Sequence, residues 1–517
     1  MSVSSRYLEL CRLQHEAATL GSIGSLLNWD QETYMPSKGA GHRSDQQAVV
    51  ARLHHERATS PRIGELLGEC ELDKSLMAEG SITAADLREM RRDYDLATKL
   101  PGDLVADLAK VGSQAQEAWK VARGRNDFAM FQPWLEKMMH LTRRKAECYA
   151  AGKSGELYDA LLNEYEPGIT AAEIEGIFRP LRDRLSGLVK DLAASGRKID
   201  TSPLSAKIDP AKQHEFGQHV LSAMGFDFDA GRLDTTTHPF CSGMAPGDTR
   251  LTTRYREQHF TDALYSSMHE AGHGLYEQGL PKDAVVEGAP AFGRPIANSI
   301  SLGIHESQSR MWENFVGRSR EFWSWALPLA DRMFAPAGGK SPVAGIGVDQ
   351  IYAAVNTATP SLIRVEADEA TYNLHVMLRF ELERGLISGR LAVKDLPGEW
   401  NRLFKQYLGL DVPDDARGCL QDVHWSFGLI GYFPTYTLGN LYAAQLWETI
   451  QQVIPDLKGK LGRGEFLPLK QWLNTNIHMH GRRYTATDLC KRVTGKPLSA
   501  DPLMRHLEGK LRPLYGR

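Results

Sequence analysis

His269-Glu270-Ala271-Gly272-His273 sets two imidazoles four residues apart with a carboxylate between them. On a helix, residues i and i+4 share one face, with Cβ atoms about 5–6 Å apart. Two imidazoles so placed can share one zinc ion, and the Glu between them can reach water bound to it. Five residues thus offer two metal ligands and a general base. Chance occurrence is the competing reading, so the pattern needs a third ligand and substrate-recognising groups elsewhere in the chain.

A second cluster, Ile304-His305-Glu306-Ser307-Gln308-Ser309-Arg310, lies in a segment whose apolar residues Ile300, Ile304, Met311 and Phe315 have helical spacing. A carboxylate on a second helix would complete a His₂Glu set with one position open to water. The commoner role of a helical Glu is a solvated face, and residue type alone does not separate the two for Glu306. Attack by a metal-activated water also builds an oxyanion that needs a donor besides the metal. His424, Tyr432 and Tyr436, in a Gly-punctuated segment, are candidates; packing within the core is the alternative. A carboxylate on the substrate would be matched by a guanidinium fork. Arg364, flanked by Leu362, Ile363 and Val365, is the first candidate, and its rival reading is an internal ion pair to Glu366 or Asp368. Arg250 is the second candidate, or else ties the neighbouring hairpin to the metal helix, with Asp248 orienting it. His238, just before Pro239, is placed to touch substrate backbone or to support a ligand; a structural role fits it equally.

Most of the chain that must position these groups reads as helix. Thr170-Ala171-Ala172-Glu173 is a capping box, and Asp209-Pro210 is an N-cap followed by Pro at the first helical position. The metal helix is expected to start near Thr261-Asp262. Gly272 and Gly274 inside it cost roughly 1 kcal/mol each relative to Ala. Close approach of another backbone, or of substrate, would account for them. The segment from Ile351 to Leu386 is helical in pattern with a break near Pro360. The clearest strand signal, Thr235–Arg256, predicts a small hairpin beside the metal helix.

The 517 residues are 42% hydrophobic and 24% charged, enough for a large core, and no linker-like stretch divides them. A net charge of −3 gives no reason to expect nucleic acid or an anionic membrane surface. No run of about 18 apolar residues predicts a membrane span. MSVSSRYLEL lacks an apolar signal core, and the 6 cysteines form no CxxC pair, which together point to a cytoplasmic protein with reduced thiols.

His238-Pro239-Phe240, Asp248-Thr249-Arg250-Leu251-Thr252, the HExxH, His305-Glu306-Ser307-Gln308, Ile363–Asp368 (IRVEAD) and Gly418–Trp425 (GCLQDVHW) occur in this order. In these motifs the chain resembles the carboxypeptidase Taq family of metallocarboxypeptidases. Similarity extends to Trp29-Asp30-Gln31, Gly431–Tyr436 and Trp472–Gly481, and so covers most of the chain; the interval from His273 to Glu306 is somewhat long for the family. The resemblance implies His269, His273 and Glu306 as zinc ligands and Glu270 as the base acting on zinc-bound water; a His₂Glu set also accepts cobalt. It favours Arg364 for carboxylate capture. It further implies a mainly α, bilobal helical zincin of the gluzincin type with a deep central groove and one small antiparallel sheet near the metal. Residues 1–517 would form a single catalytic unit, with N-terminal helices (about 1–200) over the groove and the metal and substrate motifs within 238–436. The expected activity is release of single C-terminal residues from peptides, with broad specificity, by a homodimer. An endo-acting oligopeptidase of the same fold, or a non-catalytic peptide-binding scaffold, are the alternatives.

Overall fold

The computed structural model describes residues 5–152 and 154–517. With 67% helix and 4% strand, helices build nearly all of the core. The first nine are α1 (Ser5–Thr33), α2 (Ala40–Ala58), α3 (Pro61–Glu71), α4 (Ile82–Thr98), α5 (Gly102–Arg125), α6 (Phe128–Ala150), α7 (Leu157–Leu162), α8 (Ala171–Ala193) and α9 (Pro210–Met224). Strands β1 (Gly231–Thr235), β2 (Cys241–Ala245) and β3 (Asp248–Thr253) lead into α10 (Phe260–Gly279), which carries the HExxH. After a short hairpin of β4 (Val285–Val286) and β5 (Ala289–Pro290) come α11 (Leu302–Arg310), a π-helical turn (Met311–Gly317), α12 (Arg320–Phe334), α13 (Val348–Val355) and α14 (Tyr372–Ser388). The chain closes with α15 (Leu396–Leu408), α16 (Pro434–Val453), α17 (Leu457–Gly462), α18 (Leu467–Asn476), α19 (Ala486–Thr494) and α20 (Asp501–Tyr515).

Local cap chemistry sets several of these ends. Thr170 and Glu173 form the reciprocal capping box of α8. The Asp209 carboxylate accepts from the Ala211 N–H at the start of α9, where Pro210 needs no partner. The metal helix begins at Phe260, beside the expected Thr261-Asp262, but without the expected cap: His259 lies in the left-handed region (φ 62°) and no side chain caps the helix. The break within Ile351–Leu386 spans the whole interval between α13 and α14 and holds a 3₁₀ turn at Arg364–Glu366.

The sheet departs from the expected antiparallel hairpin. Its order is β1-β3-β2; β2 pairs with β3 antiparallel as expected, but β1 joins β3 in parallel, so the sheet is mixed. Parallel pairing needs a connection that carries the chain back past the strand, a non-local feature without a turn signature. His238 and Pro239 lie in that connection rather than on a strand.

Three bodies of apolar contact form, the smallest of them Ala291, Ile296 and Ala297. Residues of α5 to α20, together with β1 and β3, share the main core. Tyr7, Leu10 and Cys11 of α1 pack with α3 and α4 in a separate cluster. A buried polar joint ties the α1/α3/α4 cluster to the smallest one: Asp86 of α4 accepts from Tyr7 Oη and from Arg294 Nε, both at 2.9 Å, and Arg294 is fully buried.

The two awkward glycines of α10 now have a cause. A Cβ on Gly272 would lie 2.6 Å from both the Gln308 carbonyl oxygen and Ser309 Cα of α11; one on Gly274 would lie 2.8 Å from Leu251 and Phe226. On the far side of α11, a Cβ on Gly439 of α16 would lie 2.6 Å from Glu306 Cγ. Glycines on two flanking helices thus let α11 settle deep between them and bring Glu306 to the HExxH. Backbone cannot yield as a flexible side chain does, so Gly272→Ala must push α10 and α11 apart. We expect it to destabilise the apo protein by about 1–3 kcal/mol and to weaken metal retention. Thermal unfolding and metal analysis check this; an unchanged Tm contradicts it.

Candidate active site

The inner face of α10 is fixed by Leu264, Met268, Leu275 and Tyr276, all at most 3% exposed. This leaves His269, Glu270 and His273 turned toward α11. Nε2 of His269 lies 3.6 Å from Glu306 Oε2, and Nε2 of His273 lies 3.5 Å from the same oxygen. The three donor atoms are all within 4.8 Å of one another. Tetrahedral coordination with bonds near 2.1 Å needs donors about 3.4 Å apart, so the trio fits one small divalent cation. Each ring's other nitrogen is engaged elsewhere, Nδ1 of His269 with Glu313 Oε2 at 2.9 Å and Nδ1 of His273 with His305 Nδ1 at 2.6 Å and the His305 carbonyl at 3.1 Å. The two Nε2 atoms are therefore the free ones, and they converge on Glu306.

Electrostatics at Glu306 and His273 agree with a ligand set. Burial opposes ionisation of Glu306, but Arg310 and His269 outweigh it and hold its carboxyl well below the usual range. Arg310 Nε donates to Glu306 Oε1 at 2.7 Å. Burial, reinforced by His305, pushes His273 down to about 3, keeping it neutral as a ligand must be. Burial also acts on His269, but Glu306 and Glu313 prevail and raise it. Glu270 is 8% exposed, and burial pushes its carboxyl up to about 7 against the pull of His269.

Arg364 is buried at the 3₁₀ turn before α14. Neither Glu366 nor Asp368 is its partner: Nε and Nη2 donate to Asp422 Oδ1 at 3.1 and 2.8 Å, and Nη1 donates to Tyr372 Oη at 2.9 Å. Asp368 instead caps the following turn, accepting from the Ala370 and Thr371 N–H groups. Asp422 is shared, because Arg379 Nε also donates to it at 2.7 Å. One carboxylate faces two buried guanidinium groups, and burial leaves the adjacent His424 neutral at a pKa of about 4. The cluster thus keeps excess positive charge where an incoming carboxylate would balance it.

Aromatic rings link this cluster to the metal ligands. Arg364 lies 5.2 Å from the Tyr436 ring, which meets Tyr432 at 5.4 Å and Tyr372 at 6.0 Å. Arg310, the partner of Glu306, lies 4.7 Å over Tyr372. His424 meets Tyr432 at 5.6 Å, and its buried Nδ1 has no hydrogen-bond partner among the described residues. The segment carrying His424 and Tyr432 is pinned by buried Glu383, which accepts from Trp425 Nε1 at 2.8 Å, Gly431 N at 3.0 Å and Tyr158 Oη at 2.7 Å.

Arg250 and His238 stand apart from that cluster. Arg250 is gripped by Asp248 at 2.8 and 2.9 Å and stacks 4.2 Å over Trp29, so it ties β3 to α1 rather than to the metal helix. His238 is exposed on the β1–β2 connection; its neighbour Pro239 lines a small pocket with Ala263 and Ser266, on the turns of α10 before Glu270.

Several groups at this site escaped sequence reasoning. Arg310 follows Glu306 by one helical turn, a spacing that could have flagged it, whereas Glu313 lies beyond α11 in the π-helical turn. Tyr372, Arg379 and Asp422 come from distant segments, and Asp422 sat in a quoted motif without a role.

A helical scaffold with a convergent His₂Glu trio and a buried carboxylate beside it defines a metal-dependent peptidase. The family model of carboxypeptidase Taq (M32) metallopeptidase matches residues 9–511, and the chain belongs to that family. It is a metallocarboxypeptidase, a hydrolase acting on peptide bonds, and it depends on a divalent metal. It is 44% identical to thermostable carboxypeptidase 1 of Thermus thermophilus over 100% of both chains. Identity to carboxypeptidase 1 of Bacillus subtilis is 37% over 95% of each. Among solved structures, the M32 carboxypeptidase from Deinococcus radiodurans superposes with a TM-score of 0.93 at 40% identity, covering 99% of this chain and 100% of that one. The Pyrococcus furiosus carboxypeptidase does so with a TM-score of 0.92 at 33% identity, covering 98% and 99%. Among the described residues no helix is long and apolar enough to cross a membrane.

Proposed function

We propose that His269, His273 and Glu306 hold a zinc ion, replaceable by cobalt, and that Glu270 moves the proton in release of single residues from peptide C-termini. The observation that carries this is the convergence of the three donor atoms beside a buried Glu270 carboxyl. Bound there, the divalent ion would polarise the scissile carbonyl and make water a stronger acid. Glu270 takes a proton from the attacking water and passes it to the amine nitrogen of the departing residue. A carboxyl held near pH 7 suits both halves of that transfer. Tyr432, Tyr436 and His424 donate to the oxygen that gains charge as the carbonyl is attacked.

Arg364 receives the free carboxylate of the substrate, and the sharing of Asp422 with Arg379 supports this reading. Arg250 acts indirectly, holding Trp29 of α1 against β3, while His238 meets the substrate backbone from the β1–β2 connection. These contacts act on backbone and terminus, not on side chains, so we read the specificity as broad. The whole chain then works as one catalytic unit with its N-terminal helices over a peptide-sized groove. Family resemblance carries the homodimer, and the widely spaced cysteines without a CxxC pair support the cytoplasmic location.

Metal exchange tests the site. Chelation should abolish hydrolysis of an unblocked peptide, and zinc or cobalt should restore it. Activity that survives complete removal of metal contradicts the proposal.

A further inference from the structure

We propose that Glu313 is a positioning residue of the metal site, holding the His269 imidazole in the tautomer and orientation that turns Nε2 toward His273 and Glu306. This rests on the reading of His269 as a ligand. Glu313 Oε2 accepts from His269 Nδ1 at 2.9 Å. A carboxylate on one ring nitrogen fixes the proton there, frees the other nitrogen for metal and makes it a stronger electron donor.

The fold delivers this carboxylate through an unusual piece of backbone. Glu313 lies in the π-helical turn Met311–Gly317, which continues directly from α11. Such turns are rare and recur at functional positions. A Cβ on Gly317 would lie 2.9 Å from Met268 Cε and Sδ, so the turn sits tightly against α10 one residue before His269. Two arginines then fix the carboxylate. Arg310 Nη1 donates to Glu313 Oε2 at 3.1 Å while its Nε holds Glu306, so one guanidinium ties both acids together. Arg318 Nη2 donates to Oε1 at 3.3 Å and is anchored by the Val355 carbonyl at 2.7 Å. The other histidine is backed differently. His273 Nδ1 faces the His305 imidazole Nδ1 at 2.6 Å and the His305 carbonyl at 3.1 Å, so a carboxylate in direct contact with the ring is particular to His269.

A merely structural ion-pair network would affect folding but not metal affinity, and that difference is measurable. Glu313→Gln keeps the shape and removes the charge. Glu313→Asp keeps the charge for Arg310 and Arg318 but withdraws it from Nδ1 by one methylene. The dissociation constant for zinc, from competition with a chromophoric chelator at fixed pH, is read beside the Tm of each apo protein and the visible spectrum of its cobalt form. Each folded variant should bind metal about 10–100-fold more weakly than wild type, with an altered cobalt spectrum. A folded variant with the wild-type dissociation constant and spectrum overturns the proposal. If the Gln variant does not fold, the Asp variant decides. A wild-type chain that binds no metal overturns the ligand reading and this inference with it.

Discussion

Glu270→Gln should retain its metal while kcat for an unblocked peptide falls by about 10²–10⁴-fold, the contribution expected of a positioned general base. The side chain is nearly isosteric, so packing around this buried position is preserved. Glu270 is not one of the three convergent donors, so metal content should stay at the wild-type level. What is lost is the ability to accept a proton from water and deliver it to the leaving amine. Steady-state kinetics beside metal analysis check this, and a metal-loaded Gln variant of near-normal kcat contradicts it.

Arg364→Ala should raise KM for peptides with a free C-terminus by about 10–150-fold, taking about 1.5–3 kcal/mol for a hydrogen bond to a charged group, with metal content unchanged. The effect belongs to the terminal carboxylate and so must depend on it. Amidating the peptide should cost the wild-type enzyme a similar factor and cost the Ala variant little more, the non-additivity expected when both changes remove one interaction. Arg379 remains to hold Asp422 in the variant, limiting the damage to the site. If Arg364→Ala discriminates free from amidated peptides as well as wild type does, the carboxylate is bound elsewhere.

Legibility of this molecule follows the range of the interactions involved. The caps at Thr170 and Asp209 were readable because a side chain meets backbone two or three residues away. The HExxH was readable because one helical turn is a local ruler. Gly272 and Gly274 announced a close approach without naming the neighbour, which is α11 at one and Leu251 with Phe226 at the other. Non-local choices stayed hidden. Arg364 pairs with Asp422, 58 residues away, rather than with the nearer acids Glu366 and Asp368. β1 joins the sheet in parallel, a pairing that no turn signal marks. Glu313 depends on a π-helical turn, for which composition carries no signature. The start of the metal helix was readable, but its cap was not, because His259 opens it with a left-handed backbone instead of a capping side chain.

The most direct test of the central claim is a time course of one unblocked peptide with the metal-replete enzyme, read by mass spectrometry. A metal site, a proton carrier and a carboxylate anchor predict a ladder of products shortened one residue at a time from the C-terminus. Internal fragments appearing from the first time points, or equal digestion of the amidated peptide, would contradict it.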